Sequence, residues 1–290
     1  MLLQGALTAL ITPFNNGVLD EDQLKKNIEF QIAEGIDGLV PAGTTGESPT
    51  LDFREHERVI EITVQTANAR VPVIAGTGAN ATSEALELHA FAKMAGANGC
   101  LSVNPYYNKP SQEGLYRHFM TLADKVDLPI VLYNIPARTG ITMLPRTVAR
   151  LRKHPNSVAI KEATNSLDIA SEIRSLCDIT ILSGDDSLTL PLMSIGAAGV
   201  ISVASNLVPK LIKEMTKLAL AGDFMSAGKI HHMLFPLIRS LFLDGNPAGI
   251  KFAMKTLHMD SGEVRLPLWE ASEATQKTIQ SCIAQLGLAK

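Results

Sequence analysis

The 290-residue chain is poor in aromatic residues, with nine Phe, four Tyr and one Trp making 5% of the total. Charged residues reach only 19%, below the roughly 25% of ordinary soluble domains, so much of the chain is given to core. Neither sign of charge dominates: 26 Lys and Arg stand against 29 Asp and Glu, a net charge of −3. That balance excludes a broad basic footprint for nucleic acid and a polybasic membrane patch. No uninterrupted apolar run reaches the roughly 18 residues of a membrane span. Cys100, Cys177 and Cys282 are odd in number and share no short spacing. They make neither a disulfide framework nor a zinc site, read as buried structural thiols, and point to a reducing, cytoplasmic compartment. The histidines show no His-x-x-x-His or His-Glu-x-x-His spacing, so no metal is expected. The apolar start, Met1 to Pro13, lacks the basic flank of a signal peptide and reads as a first strand before an Asn15-Asn16-Gly17 turn.

What the chain has is alternation. Short apolar or β-branched runs recur at Ala6–Ile11, Ile36–Pro41, Val71–Ala75, Gly99–Val103, Pro129–Asn134, Val158–Ala163, Thr180–Ser183 and Gly199–Ala204. Amphipathic stretches lie between them, among them Asp20–Glu34, Phe53–Ala69, Thr82–Ala95, Leu144–Lys153 and Leu167–Leu176. Eight strand–helix units of this kind predict parallel strands buried on both faces and a (β/α)8 barrel. A doubly wound sheet is the competing architecture, because periodicity does not report closure. Beyond the eighth strand no further strand signal appears. Asp223–Leu243 reads as a helix kinked or broken at Pro236. Asn246-Pro247 reads as an N-cap and first helical position, opening a helix to about His258. Glu270–Leu286 is a last helix. These assign residues 1–223 to the barrel and 224–290 to a C-terminal helical domain.

Barrel chemistry sits at the C-terminal ends of strands. There the chain places Gly43-Thr44-Thr45-Gly46-Glu47-Ser48, Asn104-Pro105-Tyr106-Tyr107, Tyr133 followed by Arg138, Lys161, and Gly184-Asp185-Asp186. Period two puts Ala159, Lys161 and Ala163 on one face of their strand and Val158, Ile160 and Glu162 on the other. If the first set faces inward, Lys161 lies between two alanines that leave room for a ligand. Burial disfavours charge on an amine, and a neutral amine forms a Schiff base with a carbonyl substrate. The competing reading has Glu162 inside and Lys161 in an outer salt bridge. Tyr133 is a candidate proton carrier or a packed core tyrosine. Arg138 is a candidate carboxylate clamp or a solvated loop charge. The Thr44-Thr45 turn offers hydroxyls and backbone N–H groups, or turn chemistry alone. Gly76-x-Gly78-x-x-Ala81 imitates a dinucleotide fingerprint but lacks its acidic partner about 20 positions on. Asp185-Asp186-Ser187 reads as a helix cap rather than a metal pair.

Taken in order, Gly43–Ser48, Ala75–Ala81, Asn104–Asn108, Tyr133–Gly140, Ile160–Thr164 and Gly184–Asp186 resemble the dihydrodipicolinate synthase family, within the N-acetylneuraminate lyase superfamily, over essentially the whole chain. The resemblance implies condensation of pyruvate, held on Lys161 as Schiff base and enamine, with L-aspartate 4-semialdehyde on the diaminopimelate route to lysine. It implies a proton relay of Tyr133, Thr45 and Tyr107, the last reaching in from a neighbouring subunit. Arg138 would orient the semialdehyde carboxylate, Thr44 would assist binding, and Gly184 and the Ile201 carbonyl would lie near the substrates. No cofactor is implied beyond the covalent Schiff base. The family is typically a tetramer, a dimer of tight dimers, and many members are inhibited by L-lysine at the tight-dimer interface. Ser48, His56, Asn80, Glu84 and Tyr106 match that site. Phe53 stands where some lysine-sensitive bacterial members carry histidine, and Pro49 where others carry alanine. Two other readings compete: a sister aldolase acting on sialic acid or a 2-keto-3-deoxy sugar acid, and a non-catalytic barrel that binds small carboxylates.

Overall fold

A computed structural model describes residues 3–288. The first two residues of the expected N-terminal strand region and the last two of the expected C-terminal domain lie outside that range. Eight parallel strands form one sheet: β1 (Gly5–Ala9), then, after the short hairpin β2 (Phe14–Asn15) and β3 (Val18–Leu19), β4 (Gly38–Val40), β5 (Ile74–Gly76), β6 (Gly99–Val103), β7 (Ile130–Asn134), β8 (Ser157–Glu162), β9 (Thr180–Ser183) and β10 (Gly199–Ser202). Their order is β4-β1-β10-β9-β8-β7-β6-β5, and a parallel bridge from Leu39 to Val73 joins the two ends. The ring therefore closes, which decides for the barrel against the open sheet. All eight expected strands are present, with ends shifted by a residue or more in six of them.

The helix layer comprises α1 (Glu21–Ala33), α2 (Phe53–Ala67), α3 (Thr82–Ala95), α4 (Gln112–Lys125), α5 (Pro136–Thr139), α6 (Pro145–Leu151), α7 (Leu167–Leu176), α8 (Thr189–Ser194) and α9 (Pro209–Leu220). The C-terminal helices are α10 (Phe224–Ser240), α11 (Ala248–Thr256) and α12 (Glu273–Gln285). Side-chain caps open several of them: Asp52 and Glu55 make a reciprocal capping box on α2, and Ser111, Ser166 and Ser272 cap α4, α7 and α12. No described helix is long and apolar enough to cross a membrane.

Several expectations need correction. Helix α4 goes unnamed in the sequence reading, although Ser111 and the buried Leu115, Phe119 and Leu122 mark it. Helix α10 runs through Pro236 without a break. Pro236 lies on its exposed face, where water can take the carbonyl that proline leaves unpaired. Asn246 does not cap α11, which starts at Ala248 with Pro247 as its N-cap. The Asn246-Pro247 peptide is cis, and the Asn246 side chain is committed elsewhere. Val158 packs partly against the barrel interior, because the register of β7 against β8 shifts at Ile130/Val131. Cys100 and Cys282 are buried, but Cys177 is only half-buried.

Two apolar layers follow from strands buried on both faces. The outer one lies between sheet and helices. The inner one fills the barrel and includes Leu7, Ala9, Val40, Ile74, Leu101, Val131, Ala159, Leu182 and Ile201. Asp186, buried at the end of β9, ties the top of the barrel together by accepting bonds from the Ser202 hydroxyl and from the Val203 and Ala204 N–H groups. It serves β10 and the following turn, while its neighbour Asp185 caps the short helical turn at residues 186–188 by accepting from the Ser187 N–H.

His89 on α3 and His118 on α4 are buried against Thr77 and Thr82, with Nδ1 of each 2.9 Å from the threonine hydroxyl. Burial pushes both from their ordinary 6.5 down to about 4, so the fold holds them neutral. A depressed folded pKa gives stability that is complete above about pH 6.5 and is lost as the pH falls towards 4. Each histidine contributes about 3 kcal/mol to that loss. Urea midpoints at pH 7 and pH 4.5 should show it, and His118→Gln should remove its share. A parental difference between the two midpoints in that variant would contradict the assignment.

Candidate active site

Lys161 sits in the middle of the inner layer. It is 5% exposed, on the face of β8 that carries Ala159 and Ala163, paired with Tyr133 of β7 on one side and Leu182 of β9 on the other. Its Nζ lies 4.3 Å from the centre of the Tyr133 ring. The opposite face of β8 settles the orientation. Glu162 points outward, where its carboxylate accepts from the Asn134 amide at 3.2 Å and from the Thr164 N–H at 2.7 Å. Asn134 in turn bonds the backbone of Met143 and the side chain of Asn104. Burial holds the Glu162 carboxyl above its ordinary range, with those donors opposing it. The lysine inside and glutamate outside are the arrangement that leaves an amine in the barrel, and no described carboxylate comes within ion-pair distance of it.

Missing side chains shape the space around that amine. A Cβ on Gly184 would stand 2.7 Å from the Ala163 Cβ and 3.1 Å from the Lys161 Cγ. Gly184 and Ala163 line a cavity of about 440 Å³ with Arg138, Asp185, Arg239 of α10 and Phe242 from the turn that follows it. On the other side of the mouth, Tyr133 and Val103 share a narrow cleft with Gly43, Thr44, Ser48 and Gly78. Lys161 thus lies where strand ends bearing Tyr133, Gly184, Arg138 and Thr44 converge. Ile201 is buried on β10 within the inner layer.

Two expected members stand apart. Thr45 is buried, but its hydroxyl accepts from the Asn246 amide at 3.0 Å and makes no bond to Tyr133. Tyr107 is 90% exposed, with a left-handed φ of 73°, and does not enter the site of its own chain. Asn246 is the residue sequence reasoning missed: its side chain bonds Thr45, and its carbonyl accepts from the Arg138 guanidinium at 3.1 Å. Its reading as a helix cap hid it. Glu47, which the sequence shows only as one residue of the Gly43–Ser48 motif, is fully buried and paired with Lys251 of α11.

A second cavity, about 290 Å³, adjoins the narrow cleft and shares Ser48 and Gly78 with it. Ser48, His56, Glu84 and Tyr106 line it, with Pro49 and Phe53. Asn80 is not on its wall; its carbonyl accepts from the Asn108 amide at 2.8 Å. The His56 Nε2 lies 2.7 Å from the Gly76 carbonyl, and burial lowers its pKa. Burial, then the nearby Glu84, raises that of Tyr106. Among the described residues no three His, Cys, Asp or Glu side chains cluster as metal ligands would.

The model of the Dihydrodipicolinate synthetase family matches residues 2–286. The chain belongs to that family. It is 51% identical over 289 residues to the 4-hydroxy-tetrahydrodipicolinate synthase of Geotalea daltonii, covering 99% of this chain and 100% of the relative. It is 49% identical over 289 residues to the enzyme of the same name from Methanococcus maripaludis, again with 99% and 100% covered. Its fold superposes on the dihydrodipicolinate synthase of Aquifex aeolicus with a TM-score of 0.97, at 48% identity and 99% of each chain. A lysine-bound structure of the family from Cyanidioschyzon merolae gives 0.96, at 38% identity and 98% of each chain.

The room left by Gly184 generates a prediction. Gly184→Ala should push the Lys161 stem aside and slow chemistry at its amine tenfold or more, since about 1 Å of misplacement costs up to roughly a hundredfold. Turnover compared at matched folded fraction, read by circular dichroism, checks it. A parental rate would mean that the stem has slack.

Proposed function

We infer that this chain is a Schiff-base-forming lyase that condenses pyruvate with L-aspartate 4-semialdehyde to 4-hydroxy-tetrahydrodipicolinate. The single observation that carries the reading is Lys161, buried beside Tyr133 in the barrel of a chain about half identical to synthases along its whole length. The Lys161 amine attacks the keto carbon of pyruvate, and the carbinolamine loses water to give an iminium. That cation is an electron sink, so a methyl proton leaves and an enamine forms. The enamine carbon attacks the aldehyde of the second substrate, whose oxygen takes up a proton. The substrate's own amine then adds to the iminium carbon, closes the ring and expels Lys161.

Each step moves a proton, and hydroxyls do this only when aligned. Tyr133 is the group at hand. We assign Thr45 and the Tyr107 of a neighbouring subunit to the same relay. The exposure of Tyr107 and its strained backbone fit a residue that completes a partner's site, as in a dimer of tight dimers. Arg138 grips the semialdehyde carboxylate at the mouth, Thr44 assists there, and Gly184 and Ile201 border the bound substrates. The lysine supplies the electron sink, so the chemistry calls for no added cofactor. L-Lysine is the proposed occupant of the second cavity, with the Glu84 carboxylate and the Tyr106 hydroxyl taking an amino group.

A coupled assay separates this reading from its sister aldolases. Condensation with the semialdehyde should far exceed pyruvate release from sialic acid or 2-keto-3-deoxy sugar acids, and the reverse order would sink it. Arg138→Ala should lower kcat/KM for the semialdehyde roughly ten- to hundredfold, the worth of a charge-assisted pair, while leaving pyruvate binding near parental. Equal loss for both substrates would remove its assigned role. The same assay read against L-lysine should show inhibition that Glu84→Ala relieves, and an insensitive parent would remove lysine from the second cavity.

A further inference from the structure

Behind the catalytic turn lies an ion pair that none of the steps above uses. Glu47 and Lys251 are both fully buried, and the Lys251 Nζ donates to the Glu47 Oε1 at 2.5 Å. The same Nζ donates to the Glu263 carbonyl at 2.6 Å and lies 4.3 Å from the centre of the Phe14 ring. The other Glu47 oxygen accepts from the Arg265 N–H at 3.1 Å. Both partners of the glutamate therefore come from the C-terminal helical region, while the glutamate belongs to the barrel.

The backbone of Glu47 explains what is being held. Its φ is +56°, a left-handed conformation that a glutamate adopts only where its surroundings enforce it. Its N–H donates to the Thr44 carbonyl at 3.1 Å, and the Ser48 N–H donates to the Gly43 carbonyl at 3.2 Å. The turn is thus folded back on itself around Thr44 and Thr45. From the other side, the Gly46 carbonyl accepts from the Thr12 hydroxyl at 2.6 Å. Buried ion pairs seldom repay their desolvation in stability alone, so one at this point calls for a conformational role. Asn246, five residues before Lys251, meets the same turn at the Thr45 hydroxyl.

We propose that Lys251 is a positioning residue for the condensation: through Glu47 it holds the Thr44-Thr45 turn in place at the mouth of the barrel. The inference rests on the function assigned above. It makes residues 246–251, outside the barrel, part of what sets the proton relay.

The test separates position from stability. Lys251→Met alone strands a buried carboxylate, so it is paired with Glu47→Gln, which removes the charge and restores a melting temperature near the parent's. The double variant should still lose kcat about ten- to a hundredfold, because the turn is no longer held. Lys251→Gln, which keeps a donor for Glu47, should recover part of the kcat lost in Lys251→Met. Parental kcat in the double variant would overturn the inference alone. So would kcat losses that merely follow melting temperature across the three variants. Should the double variant not fold, the comparison of Lys251→Gln with Lys251→Met decides, and equal kcat in the two at matched folded fraction would overturn the inference. A parent protein without condensation activity would overturn the function, and this inference with it.

Discussion

A lysine amine enclosed in a parallel barrel with no anionic partner among the described residues is the constraint from which the rest of this structure follows. An unpaired ammonium is costly in an apolar interior, so such a residue is rare unless it does chemistry. The chain accommodates it by sending the neighbouring Glu162 outward to Asn134 and Thr164. It flanks Lys161 with Ala159 and Ala163 and leaves the Gly184 position bare. These choices sacrifice packing around one side chain to keep space beside its nitrogen. The proposed Schiff-base route makes use of that space and requires only hydroxyls nearby to move protons.

The barrel does not finish the site by itself. Asn246 joins Thr45 to Arg138, and Lys251 and Arg265 hold Glu47. Arg265 also forms a two-pronged pair with Glu55 at the start of α2. The C-terminal helices are therefore a brace for the Gly43–Ser48 turn, and α10 adds a wall to the larger cavity. Ser48 and Gly78 line both the narrow cleft beside Tyr133 and the second cavity. An occupant of the second cavity would press on the wall of that cleft.

Much of this was legible in the sequence. The eight strands were visible because strands buried on both faces are continuous apolar runs, and Lys161 stood out as a charge in such a run with alanines on its own face, beside Glu162 on the other. Which face pointed inward was not legible. That depended on Asn134, thirty residues away from Asn104 and on a different strand from Glu162, offering the carboxylate a partner. Closure of the sheet likewise rests on pairing between residues more than thirty apart, where Leu39 bridges Val73 and the Leu39 and Gly76 N–H groups donate to the Pro72 and Pro41 carbonyls, and periodicity does not encode it. Asn246 and Lys251 were missed for the same reason. Local rules assign an Asn-Pro pair to a helix start and a helical lysine to solvent, whereas contacts about two hundred residues back along the chain commit both to the site. Tyr107 was legible only through its family, since its own chain leaves it exposed.

The measurement that bears most directly on the account is reductive trapping. The protein is incubated with pyruvate and borohydride, digested, and the peptide carrying Lys161 is weighed. The account predicts one reduced pyruvyl group, located on Lys161 and absent from Lys161→Arg. An unmodified Lys161 peptide, or a group attached to another lysine, would contradict it.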